Sequence, residues 1–247
     1  MADVITAAML VIGDEILSGR TKDRNIGHLA DVMTAIGIDL REVRIVADDE
    51  EAIADAINAL RAAHTYLFTT GGIGPTHDDI TADSVARAFG VPCDYDARAY
   101  ALLEAHYAAR GIEFTDARKR MARMPAGAEH IDNPVSLAPG FRIDNVHVMA
   151  GVPAIFQAML DNVVPTLKTG VRLLSETVHC PYGEGTIGGP LGEIQNSHPD
   201  TIIGSYPKFQ DGSFWTELVI RSRDAGKLAA ARQAVEAMLL DVARTSA

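Results

Sequence analysis

The stretch YLFTTGGIGPTHDD, residues 66–79, decides how this chain folds. Its first residues, 66–69, with Tyr66, Leu67 and Phe68 in a row, read as a short buried strand. Gly71, Gly72 and Gly74 follow directly. Glycine accepts positive φ and lets backbone N–H groups approach a ligand closely. A helix is expected to begin near Asp79, and its N-terminus adds the positive end of a dipole. On residue types alone two readings stand. In one, the loop is a glycine-rich turn capped by Asp79. In the other it binds an anion: Gly71, Gly72, Gly74, Pro75, Thr76, His77 and Thr81 then contact a phosphorylated heterocycle. Carboxylates in such a loop make sense if a divalent metal bridges Asp78 or Asp79 to phosphate oxygens, or if one of them orients a nucleophile.

Upstream of that loop, residues 7–12 are apolar without alternation, as in a parallel strand covered on both faces. A loop, residues 13–23, follows. Ile26, Leu29, Ala30 and Met33 then recur at helical spacing, and Gly37 stops the helix. Residues 38–46 read as a second strand. Asp48 to Glu51 opens a second helix with Ile53, Ile57 and Leu60 on its inner face. The rhythm strand–helix–strand–helix–strand predicts an α/β fold with a doubly wound, mostly parallel sheet. Ligands of such sheets bind outside the carboxyl ends of the strands. Gly13, Asp14, Glu15 and Ser18 follow the first strand and fall at that same edge. Asp14 and Glu15 would suit a metal there, or merely solvate the loop. Asp48 with Glu51 resembles a helix capping box, which competes with a role for Asp48 in the site.

Downstream, residues 97–110 and 116–124 read as two helices parted by Gly111, an insertion beside the site. Arg118, Lys119, Arg120 and Arg123 on it offer either phosphate contacts or a solvated basic face. Residues 125–141 are loops and short strands, and residues 146–149 another buried strand. Gly151-Val152-Pro153 turns into a helix with Pro153 near its first position. Gly170 is a plausible boundary, giving domains 1–169 and 170–247. The smaller one reads strand (171–179), glycine-rich turn with a short helix (185–194), strand pair (201–206 and 214–220), then a helix from Asp224. That β-α-β-β-α order is an α+β unit.

The 247 residues, 47% hydrophobic and 22% charged, are ordinary for a globular chain. A formal net charge of -11 opposes binding to nucleic acid or an anionic membrane, so an anionic ligand must be held by local devices. Gly185-Thr186-Ile187-Gly188 has the GxxG form of KH modules, but Glu184, Glu193 and Asp200 around it have the wrong sign for RNA. Cys93 and Cys180 are expected to stay reduced and unlinked. The apolar start carries Asp3 before it and Gly13-Asp14-Glu15 after it, unlike a targeting segment. A cytoplasmic protein is expected. His179 and His198 are expected to serve the small unit structurally.

Several separated motifs occur in a telling order: GDEILSG at residues 13–19, a helix start at Asn25, TTGGIGPTHDDIT at 69–81, MARMPAGAEHIDNPVSLAPGF at 121–141 and HVMAGVPAIFQAML at 147–160. Together they resemble the molybdopterin-binding (MoCF) superfamily and, within it, the CinA-type branch of competence/damage-inducible proteins. The resemblance spans residues 5–167. It implies a molybdopterin-binding-like three-layer domain followed by a KH-like unit. The chain would match the first half of a CinA-type protein, without the C-terminal deamidase domain, and is similar to the corresponding domain of eukaryotic FAD synthases. For the pterin branch the resemblance implies that Asp48 and Asp79 serve adenylyl transfer or metal insertion. For the CinA-type branch it implies metal-dependent hydrolysis of a pyrophosphate bond in ADP-ribose, FAD or a related dinucleotide. Asp14, Glu15, Asp78 and Asp79 would then hold a divalent metal (Mg²⁺, Mn²⁺ or Co²⁺), with a monovalent cation as a further ion. Ile73 stands where pterin-branch members have Thr, and acidic Asp78 where they tend to be basic. Both departures favour the nucleotide hydrolase. A homo-oligomer, dimer or trimer, is implied by the resemblance alone.

Overall fold

The computed structural model describes residues 4–245, so Asp3, which argues against a targeting segment, lies outside the described residues. The chain divides into two compact units, the first ending at Gly170 and the second beginning at Val171.

The first unit is built on a six-stranded sheet. Its strands are β1 (Thr6–Ile12), β2 (Asp39–Val46), β3 (Tyr66–Thr70), β6 (Glu129–Ile131), β7 (Gly140–Ile143) and β8 (Val146–Met149). The remaining pair, β4 (Cys93–Tyr95) and β5 (Arg123–Pro125), forms a separate antiparallel ribbon. The sheet order is β2-β1-β3-β8-β7-β6. The first four of these are mutually parallel, and β7 and β6 extend the sheet antiparallel. One face packs Leu10, Leu67, Val146 and Val148 under α3 (Glu50–Ala63), α4 (Thr81–Phe89) and α5 (Ala97–Ala109). The other packs Met9, Val11, Phe68 and Met149 under α2 (Asn25–Ala35) and α7 (Pro153–Val163). Helices on both faces explain why the parallel strands lack alternation. In α3, Ile53, Ile57 and Leu60 are all fully buried. Each contributes roughly 1.5–3 kcal/mol by leaving water. His147, 2% exposed, stacks on Phe68 with ring centroids 5.1 Å apart. Burial holds its pKa down at about 4, so it is a neutral core residue at physiological pH.

In the first unit local rules mislead in four places. Residues 14–17, expected as loop, form a single helical turn, α1 (Asp14–Leu17), closed by the Ser18 N–H on the Asp14 carbonyl at 2.8 Å. Asp48 does not cap α3. Asp49 does, accepting from Ala52 N–H at 2.8 Å. Asp79 does not cap α4 either, because that helix starts two residues later with Ile80 at its N-cap and no side-chain bond. The expected helix over 116–124 is one turn, α6 (Asp116–Lys119), then a 3-10 turn (Arg120–Ala122), then β5. Pairing of Arg123 and Met124 with Tyr95 and Asp94 pulls those residues out of helical conformation.

In the second unit, β9 (Leu174–Cys180), β10 (Ile202–Gln210) and β11 (Ser213–Ser222) form an antiparallel sheet of order β10-β11-β9. Two helices complete it, α8 (Glu184–Ser197) and α9 (Ala225–Thr245). The β-α-β-β-α order is as expected. Asp211 and Gly212, both at positive φ, make the hairpin turn. The glycine-rich segment, however, is helical throughout, with Pro190 inside α8. Ile187, Leu191 and Ile194 share one helical face and pack into the small core, which overrides the weak helix propensity of glycine. The GxxG sequence therefore lies within a helix. Among the described residues no helix is long and apolar enough to cross a membrane, and Cys93 and Cys180 are both free.

Candidate functional site

The four parallel strands all end at one edge of the sheet. There β1 runs into Gly13, β2 into Asp48, β3 into Gly71 and β8 into Ala150 and Gly151. The ends are stitched together through the backbone: Gly13 N–H donates to Val46 at 3.1 Å, and Gly71 N–H to Met149 at 3.3 Å. At Gly71 φ is +104°, and a Cβ would lie 2.1 Å from the Ile12 carbonyl oxygen. At Gly72 φ is +67°, and a Cβ would lie 2.2 Å from the Thr81 hydroxyl. The glycines let the chain turn sharply against β1 and the start of α4. Thr81, fully buried, holds the turn by donating its hydroxyl to the Gly71 carbonyl at 3.0 Å.

A cleft of about 490 Å³ opens over this turn, within the usual range for small-molecule sites. Of the residues expected in the site, Glu15, Gly71, Gly72, Gly74, Pro75 and Asp79 line it. Asp79 is tied into the loop. Its Oδ2 accepts from Thr76 N–H at 2.8 Å and from the Thr76 hydroxyl at 2.5 Å. Thr76 thus shapes the loop through Asp79. His77 and Asp78 are exposed, with His77 Nδ1 4.0 Å from Asp78. Ser18 hydrogen-bonds the Glu15 carbonyl at 3.3 Å on an exposed face. Thr81 is turned inward and acts on the loop itself. Of the basic residues, Arg123 makes a two-pronged pair with Asp83 at 2.6 and 2.9 Å, and Lys119 pairs with Asp116 at 2.7 Å.

Beside the cleft lies an acidic group. Asp48 Oδ2 accepts from Asp14 N–H at 2.9 Å, which joins the ends of β1 and β2. Partial burial pushes the Asp48 carboxyl above its ordinary range. The negative charges of Asp14, Glu15 and Asp78 push it the same way, against the Asp14 hydrogen bond. Among the described residues no group of three or more His, Cys, Asp or Glu side chains is assembled to hold a metal. The folded state holds the Asp48 proton more tightly than the unfolded chain does. The contribution of this group to stability is therefore full below its unfolded pKa of about 3.8 and is lost as pH rises through the folded value. At pH 7 the ionised carboxylate works against the fold. Asp48→Asn keeps an acceptor for Asp14 N–H and removes the charge. Its expected result is a thermal midpoint higher by about 1–3 °C at pH 7 in metal-free protein, with no gain at pH 3. Scanning calorimetry at the two pH values checks this, and a lower midpoint at pH 7 would contradict it.

Several site residues carry no plain signal in the sequence. Asn25 looks like a helix cap, yet its side chain is 3% exposed and donates to Thr70 Oγ1 and the Gly151 carbonyl, both at 2.9 Å. It ties α2 to the ends of β3 and β8. Asn133, 4% exposed, donates to Ser136 Oγ at 2.6 Å and the Ala138 carbonyl at 2.8 Å. It also accepts from Val135 and Ser136 N–H, and so shapes the wall of the cleft opposite the glycines. Leu137 in that wall sits at φ +62°, a strained backbone of the sort that collects at functional sites. Gly151, Val152 and Pro153, at the start of α7, complete the lining.

These features define a class: an α/β protein whose glycine loop, at the carboxyl ends of parallel strands, forms one wall of a cleft of small-molecule size. The comparisons agree. A family model described as a probable molybdopterin binding domain matches residues 8–169, and one described as the middle domain of FAD synthase matches residues 172–245. The chain belongs to the molybdopterin-binding-domain family, joined to an FAD-synthase-type middle domain. It is 34% identical over 209 residues to a protein of Caldivirga maquilingensis, covering 82% of this chain and 81% of that one. It is 30% identical over 200 residues to one of Archaeoglobus fulgidus, covering 81% and 85%. Among solved structures it is similar to the protein CinA with unknown function from Thermoplasma acidophilum, at 30% identity and TM-score 0.62, covering 66% of this chain and 98% of that one.

Proposed function

We propose that this protein is a metal-dependent nucleotide pyrophosphatase of CinA type, acting on ADP-ribose, FAD or a related dinucleotide. The observation that carries the reading is that Asp79 and Glu15 line one glycine-walled cleft, while Asp14, Glu15 and Asp78 set their charge against Asp48 at the neighbouring strand end. An FAD-synthase-type second unit supports a nucleotide ligand. The donor set fits a hard divalent cation, since every candidate is a carboxylate oxygen and the charge on Asp48 is opposed by its neighbours. Mg²⁺-type binding calls for one or two carboxylates acting with substrate phosphate oxygens. One or two of Asp14, Glu15, Asp78 and Asp79 would hold it. Such a cation would polarise the phosphoryl group and lower the pKa of water.

The chain's own part is positioning and proton transfer. Gly71, Gly72 and Gly74 let the pyrophosphate approach the backbone. Asp79 orients a water and takes its proton as the water oxygen attacks phosphorus. The bridging P–O bond breaks, and its electrons leave with the second phosphate, giving two phosphomonoesters. Purified protein with FAD or ADP-ribose and Mg²⁺, Mn²⁺ or Co²⁺ is expected to release AMP. Chromatography showing no AMP with any of the three metals would sink the reading.

The family description favours a second reading, a site that binds molybdopterin. Calorimetry separates the two: tight pterin binding without dinucleotide turnover supports the second.

A further inference from the structure

The inserted segment between β4 and β5 reaches the glycine loop through Arg120. The Nη2 of that residue donates to the Asp79 backbone carbonyl at 3.2 Å. Its Nε is buried and has no hydrogen-bond partner. Arg120 lies in a second, smaller cavity behind the loop. Gly72, Ile73, Gly74, Asp79, Asp83 and Arg123 border it too. The loop is therefore held at both ends of one residue. The Asp79 side chain is bound to Thr76 within the loop, while its carbonyl is bound to the insertion. The arginine's own anchor is firm. The backbone beyond it pairs with β4, the Ala122 carbonyl accepts from Asp96 N–H at 2.8 Å, and Arg123 grips Asp83 on α4. Met121, next in sequence, lines both cavities and packs against the core on the α3 face.

We propose that Arg120 is a positioning residue. It holds Asp79, and with it the glycine loop, in the conformation that receives substrate, and the insertion serves to deliver it. This rests on the reading that Asp79 belongs to the active site. A guanidinium suits the task because its planar fork is pre-organised, whereas a lysine in its place supplies one flexible donor on a four-carbon stem.

The test compares wild type with Arg120→Met, Arg120→Lys and Arg123→Met by amide hydrogen exchange and by kinetics of AMP release from FAD. In Arg120→Met the amides of residues 73–80, above all the hydrogen-bonded ones of Thr76 and Asp79 (Pro75 has none), are expected to exchange about tenfold faster, while those of β1 and β3 keep wild-type protection. The value of kcat should fall more than KM rises, because the loop still binds but spends less time in register. Arg120→Lys should recover part of both effects. Arg123→Met, which loosens the insertion without touching Asp79, should leave residues 73–80 nearer wild type than Arg120→Met does. Unchanged exchange over 73–80 in a folded Arg120→Met variant overturns the proposal. So does an equal loss of protection in β1 and β3, which would mark a general structural role. If wild type releases no AMP, the enzymatic reading fails on its own, and the exchange data still decide whether Arg120 positions the loop.

Discussion

Asp79→Asn is expected to lower kcat/KM for dinucleotide hydrolysis by about 10²–10³-fold while moving the thermal midpoint by no more than about 2 °C. The asymmetry follows from what the carboxylate does. One of its oxygens accepts both the N–H and the hydroxyl of Thr76. The amide oxygen of Asn can accept the same two bonds, so the loop keeps its shape. An amide cannot take a proton from water near neutral pH, and it is a poorer partner for a cation. Asp79→Ala should lose activity to a similar degree and also loosen the loop, since Thr76 is left without its acceptor. Steady-state kinetics beside calorimetry separate the two effects. Full activity in Asp79→Asn would remove Asp79 from the chemistry and leave it a loop-shaping residue.

Gly71→Ala should be the most destabilising single change in the loop. An added methyl would sit 2.1 Å from the Ile12 carbonyl oxygen, at a φ of +104° that an L-residue seldom adopts. The atom in the way is backbone of a central strand, so it has little room to yield. Backbone strain and overpacking together are expected to cost about 4 kcal/mol, read as a shift in the urea midpoint. Gly90→Ala is the control. That glycine is also left-handed, at φ +65°, but a Cβ there meets nothing within 4 Å. Its cost should stay near 1 kcal/mol, the conformational part alone. Equal losses at the two positions would mean that close packing against β1 is not what requires Gly71.

The strand–helix alternation of the first unit and the β-α-β-β-α order of the second are both readable from the period of apolar residues. Each strand and major helix buries a face, and burial dictates period. The insertion is less readable. Residues 116–124 have helical spacing, yet β4 recruits Arg123 and Met124 into a ribbon. The segment around Pro190 is misread in the opposite sense, because Ile187, Leu191 and Ile194 drive a helix through residues that locally favour a turn.

The candidate site divides along the same line. The glycine loop, the acidic pair after β1 and Asp48 are recognisable in the sequence because glycines and carboxylates at strand ends are unusual enough to stand out. Their exact partners are not. Asp48 and Asp49 are adjacent and chemically identical, and only the tertiary structure assigns the cap of α3 to Asp49 and the bond to Asp14 N–H to Asp48. Asn25 and Arg120 reach Thr70, Gly151 and Asp79 across separations of 41 to 126 residues. The sequence by itself determined which loop turns at the end of the third strand, since backbone freedom and local order are written residue by residue. The tertiary structure decided what holds that loop still, because a hydrogen bond between distant residues depends on how the strands are ordered and where each helix comes to rest.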